Sequence, residues 1–322
     1  MHESQRPPAT AADYLAMARP DHWVKHIFIV PGIALAELLQ PRGPLELLLP
    51  ITLGFASACA IASANYLLNE WLDAGFDRHH PTKSARPAVA RHAAPKVVLG
   101  LYAALALVGF ALAAQVSTSF LVISVLFLLS GVVYNVPGVR TKDRVYLDVL
   151  TEAMNNPIRL MLGWAMVSPV TLPPSSLLLA YWMGGAFLMA TKRFAEYRTV
   201  AQEVGVEVLE RYRRSFRDYT ENRLLVSAFL YAQMAAFFLA VFLIKYRIEY
   251  LLSLPLFAAL FAVYLRLGLK HGSTAQAPEK LFRERLLMAT VVALVLLLGV
   301  LTVVDLPWLE RLADPHFIRL TG

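Results

Sequence analysis

Four oxygen-bearing side chains, Asn65, Asn69, Asp73 and Asp77, recur at every fourth residue toward the end of a long apolar run. On a helix they lie roughly above one another, drifting by about 40° per step. Ionisable groups at bilayer depth are costly and mark functional sites by default. Amide and carboxylate oxygens gathered at one membrane face suit a hard cation such as Mg²⁺ that itself holds a diphosphate. Beyond Asp77, Pro81 and Pro87 end helical structure, so the segment between them is expected to carry Lys83 and Arg86 back to the carboxylates. Cations beside a metal neutralise the phosphate charge that the metal leaves. Snorkelling of Asp and Arg at a helix end is the competing reading. The regularity of the column argues against it.

Two further groups carry chemistry. Residues 134–142, with Tyr134 and Lys142, lead to Asp148, Glu152, Asn155 and Arg159 at spacings of four, three and four, which is one helical face. Glu152 and Arg159 are open to a second reading as internal neutralisation within a bundle. Asp148, nearer the rim, favours a site role. Next come Lys192, Arg193 and Glu196, with Glu196 four residues after Lys192. Adjacent cations also serve as topology signals, so both readings stand. Residues 212–220 form a basic, aromatic-bearing stretch that reads equally as substrate contact or as an amphipathic helix on anionic headgroups.

The elements that must position these residues are membrane helices. The chain of 322 residues is 57% hydrophobic and only 16% charged, outside the range of ordinary soluble domains. Nine apolar spans are expected, at roughly 23–39, 47–71, 95–114, 117–136, 146–167, 175–191, 223–244, 249–265 and 286–303. Pro31 makes the first the weakest. The fold class is therefore all-α: a polytopic bundle with cap loops on one side. Basic residues concentrate in alternate loops, which places the amino terminus and the site in the cytoplasm. The division is a cytoplasmic segment over 1–22, one catalytic unit over 23–303 and a tail over 304–322 on the other side. The net charge of +7 is then mainly a topology signal, and its spread over many loops argues against nucleic-acid binding. Residues 1–20 lack the pattern of a cleaved signal peptide. Cys59 is the only cysteine, which excludes an internal disulfide and a cysteine-based zinc site.

These motifs resemble the UbiA-type intramembrane prenyltransferase superfamily. Asn69-Glu70-Trp71-Leu72-Asp73-Ala74-Gly75-Phe76-Asp77 is similar to its Asn-Asp-x-x-Asp-x-x-x-Asp pattern, with Glu70 where Asp is usual. Residues 134–142 are similar to its Tyr-Ser-x-Pro-Pro-x-Arg-x-Lys pattern, and Asp148 follows. Within the superfamily, residues 19–25, 80–87, 190–196, 214–220 and 278–285 look most like the decaprenyl-phosphate phosphoribosyltransferase branch. The resemblance implies a Mg²⁺-dependent transferase in a bacterial inner membrane. It implies metal ligation by Asn69, Glu70, Asp73 and Asp77, and catalytic roles for Asp73, Asp77 and Asp148. Substrate contacts would come from Asn69, Lys83, Arg86, Tyr134, Lys142, Arg159, Lys192, Arg193 and Glu196. The branch moves ribose phosphate from 5-phosphoribosyl diphosphate to a polyprenyl phosphate. Typical prenyl-transferring members carry a second aspartate-rich motif near the end of the sixth span, where this chain has Lys192, Arg193 and Glu196. Residues 134–142 pull back toward prenyl transfer from a polyprenyl diphosphate, with Asp148 as stabiliser or base. A transporter or lipid-binding protein is the non-enzyme alternative, and paired broken repeats, its usual mark, are missing from the sequence.

Overall fold

Apolar runs punctuated by proline and polar turns leave the backbone only one way to satisfy itself inside a bilayer, and the chain takes it. The computed structural model describes residues 6–80, 83–203, 205–270, 273–276 and 278–309. Within them the helices are α1 (Ala11–Ala18), α2 (Val30–Leu39), α3 (Pro44–Asp77), α4 (Pro87–Ala90), α5 (Pro95–Val116), α6 (Thr118–Asn135) and α7 (Leu147–Ala153). The series continues with α8 (Asn155–Val167), α9 (Ser175–Glu203), α10 (Val206–Tyr212), α11 (Glu221–Tyr246), α12 (Leu254–Gly268) and α13 (Arg285–Val303). Proline occupies the first turn of α2, α3, α4, α5 and α12, where its missing N–H costs nothing. Thr10, Ser117 and Thr220 cap α1, α6 and α11 with their hydroxyls. Leu45, Leu107, Phe229, Phe237 and Leu296 all point outward, and an exterior this apolar belongs against lipid.

Among the described residues, seven helical stretches are long and apolar enough to cross a membrane: 11–39, 45–77, 95–116, 118–135, 221–246, 248–268 and 285–303. The expected fifth and sixth spans fall short for different reasons. The fifth is broken at Met154 into α7 and α8, because Pro157 cannot donate to the carbonyl four residues earlier. Side chains take up carbonyls around the break: Trp182 donates to Leu150 O (2.9 Å), Asn155 to Glu152 O (3.1 Å) and Arg159 to Asn155 O (3.3 Å). The sixth, α9, is continuous but ends in a polar segment. The first span is a 3₁₀ stretch from Pro20 to Ile29 joined to α2, as Pro20 and Pro31 dictate.

The bundle packs as two halves around the broken helix. One half buries Ile29, Ile61, Phe120, Phe127, Ile158 and Leu162; the other buries Val149, Phe187, Ala228 and Tyr264. A third cluster of Phe194, Leu209, Tyr212, Phe216 and Tyr219 folds the segment after α9 over one end of the bundle. The amphipathic stretch therefore buries its aromatic face on protein, which corrects the reading of a helix resting on headgroups. The segment ahead of α1 is strapped over the same end, since Ala9 N donates to His92 O (3.0 Å), His92 N to Pro7 O (2.9 Å) and Ala94 N to the Tyr14 hydroxyl (3.0 Å). Of the tail expected over 304–322, residues 310–322 lie outside the described residues, as do Pro81 and Thr82.

Without a hydrophobic force between helices in lipid, close backbone approach supplies the packing. A Cβ on Gly32 would stand 2.1 Å from Leu160 O, and one on Gly163 would stand 2.1 Å from Ile29 O. The two glycines are thus reciprocal contact points between the first span and α8. Gly163→Val is expected to lower unfolding stability by about 1–3 kcal/mol through overpacking, read as a drop in melting temperature of purified protein. An unchanged melting temperature would remove this contact from the packing.

Candidate active site

Two chambers stack inside the bundle. The polar one, of about 660 Å³, is lined by nine lysines and arginines against five carboxylates, an excess of four positive charges. The apolar one, of about 440 Å³, runs among Val24, Phe28, Phe127, Leu188, Tyr264 and Met288. Lys25, Tyr66, Asn69, Tyr134, Glu152 and Lys192 line both. They mark the junction.

The last turns of α3 bring Asn69, Asp73 and Asp77 to the polar chamber. Asp73 is held by the Lys142 ammonium and by Arg140 Nη2 at 2.8 Å, and Asp77 is held by Arg86 Nη1 at 2.6 Å. Lys142 also donates to Asn69 (3.1 Å) and Asn135 (2.8 Å), and stands 5.6 Å from the Tyr134 ring centroid. Burial draws the Lys142 ammonium down to about 8, with Asp73 opposing it; burial likewise lowers Lys83 against the pull of Glu196, and lowers His80. Among the described residues no group of three or more His, Cys, Asp or Glu forms a metal cage. Two carboxylates and an amide oxygen in a phosphate-sized chamber are instead the donor set of a Mg²⁺ ion that shares its shell with substrate phosphate. By that test the residues fit the ion.

The opposite wall is organised by Arg193. Its guanidinium donates to Glu152 Oε2 (2.6 Å), Glu196 Oε2 (3.0 Å) and Asp148 Oδ2 (3.4 Å). Glu196 also accepts from the Tyr212 hydroxyl (3.1 Å) and lies 3.6 Å from both His80 and Lys83, tying the loop after α3 to α9. Arg213 donates to the Tyr134 hydroxyl at 2.6 Å, and that hydroxyl donates to Glu152 at 2.9 Å. Lys192 reaches Glu152 Oε1 only at 3.9 Å.

Four expectations need correction. Glu70 is buried, faces the Ala88 amide (3.5 Å) and lines neither chamber, which sets it apart from Asn69, Asp73 and Asp77. Asp148 is fully buried and accepts from Tyr219 (2.6 Å), Ser215 (3.2 Å) and Arg193. It fastens the cap to the bundle and positions Arg193 and touches no chamber. Arg159 lines the apolar chamber only, with its guanidinium 5.1 Å from the Phe127 centroid, and it does not pair with Glu152. Asn65 donates to Phe127 O (2.9 Å) and also belongs to the apolar side. Tyr66 lines the polar chamber without having been singled out, and Arg19, His22, Lys25, Arg140, Tyr212 and Arg213 line it from stretches noted above without an individual role. Lys25 and His22, three residues apart beside a proline-broken span, offered the one usable signal.

An apolar exterior around a polar chamber stacked on an apolar one defines an all-helical, multi-pass membrane protein. More particularly, the chain belongs to the UbiA prenyltransferase family, whose pattern matches residues 27–289, and it is a transferase. A decaprenyl-phosphate phosphoribosyltransferase of Mycobacterium tuberculosis is 28% identical over 222 residues, 68% of this chain and 70% of the relative. Another of Corynebacterium glutamicum is 27% identical over 236 residues, 69% of this chain and 65% of the relative. The nodulation protein NoeC of Azorhizobium caulinodans is 37% identical over 79 residues, and this chain spans only 24% of its length. A UbiA homologue from Archaeoglobus fulgidus, solved with GPP and Mg²⁺, shares the fold at a TM-score of 0.67 and 20% identity, over 88% of this chain and 99% of that one.

Asp148→Ala leaves Arg193 and Arg213 short of a buried counter-charge. Its expected cost is about 3–5 kcal/mol, measured as earlier denaturant or thermal unfolding, with activity falling in parallel. A variant that melts like the parent but loses turnover would return Asp148 to the chemistry.

Proposed function

We propose that the chain transfers 5-phosphoribosyl from 5-phosphoribosyl diphosphate to a polyprenyl phosphate, with Mg²⁺. The bond from ribose C1 to the diphosphate breaks, and C1 joins an oxygen of the lipid phosphate. The observation that carries the reading is cationic: Lys192 and Arg193 stand within α9, at the end of the expected sixth span, where prenyl-transferring members carry acids. A donor with a 5-phosphate and a diphosphate, meeting a phosphate acceptor, needs more positive charge than one prenyl diphosphate does. The names of the mycobacterial and corynebacterial relatives point the same way.

Asp73, Asp77 and the Asn69 oxygen would hold Mg²⁺, which supplies Lewis-acid stabilisation of the departing diphosphate. Arg86, Arg140 and Lys142 keep the carboxylates in place before the donor arrives and turn to phosphate oxygens when it does. Lys192, at the junction, takes the lipid phosphate. The apolar chamber seats the first isoprene units and keeps water from the ribose cation. The concentration of basic residues in alternate loops supports a polar chamber and amino terminus on the cytoplasmic side of a bacterial inner membrane, with 23–303 proposed as one catalytic unit. The second reading, prenyl transfer to another acceptor, draws on the apolar chamber lying directly against Asn69.

The deciding experiment supplies labelled 5-phosphoribosyl diphosphate and labelled polyprenyl diphosphate in parallel. Label from the first is expected in lipid product. Label from the second alone would establish prenyl transfer. Chelation should abolish turnover and added Mg²⁺ restore it. Asp73→Asn and Asp77→Asn should each lower kcat on the order of 100-fold or more with helical content retained. Lys192→Ala is expected to raise KM for the lipid phosphate about tenfold, and an unchanged KM would take Lys192 out of that contact.

A further inference from the structure

The junction between the chambers contains one carboxylate, and nothing in an isoprenoid donor accounts for it. Glu152 is the sole acid among the residues common to both chambers, and its side chain is 27% exposed into them. The two oxygens differ. Oε2 is saturated by the Tyr134 hydroxyl (2.9 Å) and Arg193 (2.6 Å). The polar contact of Oε1 among the described residues is Lys192 Nζ at 3.9 Å, beyond hydrogen-bond reach. One carboxylate oxygen is thus fixed and the other presented.

Its position relative to the diphosphate end follows from a continuous wall. Asp73 holds the Lys142 ammonium, that ammonium lies 5.6 Å from the Tyr134 ring centroid, and the Tyr134 hydroxyl binds Glu152. Lys142 and Tyr134 thus connect the Asp73 end of the polar chamber to the junction, the direction in which the carbon skeleton of a donor held at Asp73 would extend. An allylic chain has no donor to offer there, and seating it over a carboxylate oxygen would strip water from that oxygen without replacement, which is costly. A ribose has one hydroxyl on the carbon next to C1 and a second on the carbon after it, and a carboxylate is the group that pairs with ribose hydroxyls in other folds.

We propose that Glu152 reads the ribose hydroxyls of the donor through Oε1 and is the residue that selects a sugar diphosphate over an isoprenoid diphosphate. The inference rests on the phosphoribosyl reading. Arg193 and the Tyr134 hydroxyl hold the carboxylate in register, which links specificity at the junction to the same arginine that Asp148 positions.

The test is binding to the purified full chain, with Mg²⁺, of the carbocyclic analogue of 5-phosphoribosyl diphosphate and of its 2-deoxy and 3-deoxy forms, with farnesyl thiodiphosphate as comparison. The carbocycle has a methylene in place of the ring oxygen and does not turn over. The parent is expected to bind the dihydroxy analogue about tenfold or more tighter than at least one deoxy form, as a hydrogen bond to a charged group warrants. Glu152→Ala should bring that ratio near one by weakening the dihydroxy analogue alone, while farnesyl thiodiphosphate binds the same or tighter. Glu152→Gln, which keeps an acceptor without the charge, should fall between. Equal binding of the analogues by the parent overturns the assignment, as does an unchanged ratio in the variants or loss of all binding in both. If the parent binds farnesyl thiodiphosphate and none of the carbocycles, the donor reading itself fails, which is a different result.

Discussion

Charge that water cannot reach must be matched by protein, and this constraint shapes the site end of the bundle. Arg193, only 3% exposed, meets three carboxylates from α7 and α9. Asp73 and Asp77 each carry cations from neighbouring loops. Removing one member of such a set strands another, which is why buried pairs are expensive to break though modest in net contribution. The same matching fixes the carboxylates of α3 in place. It also leaves the polar chamber with a surplus of positive charge.

Separation of the chambers follows from the break at Met154. Had the fifth span been one helix, Glu152 and Arg159 would have shared a face. Broken, it sends Glu152 to the junction and Arg159 into the apolar side. Side chains of Trp182, Asn155 and Arg159 add hydrogen bonds to carbonyls around the break, so the irregular backbone is tolerated at depth because it lines a cavity and is bonded by its neighbours. Polar and apolar work are divided along one segment of chain.

Much of this was legible in the residues. Membrane composition, the amide-carboxylate column and the motif resemblance together predict an all-helical bundle, and Asp73, Asp77, Lys83, Arg86, Lys142, Lys192, Arg193 and Glu196 all meet around one chamber. What was hidden depends on contacts between distant segments. Glu70 is only about 20° out of phase with Asp77, so helix geometry alone admits it to the site. The Ala88 amide, eighteen residues away, draws it off. Arg159 was misplaced because spacing rules assume an unbroken helix. Arg213 and Tyr212 lie in an amphipathic stretch whose pattern is the same whether it covers lipid or protein. Lys25 was given no role of its own within the stretch 19–25, because a 3₁₀ segment breaks the periodicity that would have shown its face.

The strap that lays Pro7, Ala9 and Tyr14 along residues 92–94 has a mechanical consequence. Arg6 Nη1 also donates to Val89 O at 3.2 Å, so the start of the described chain grips the stretch immediately after Arg86. Tension applied ahead of Pro7, from a fused affinity tag or a tethered domain, is passed to the loop that closes on Asp77. Handles for purification or surface immobilisation attached there pull on the segment that carries Arg86 into the polar chamber.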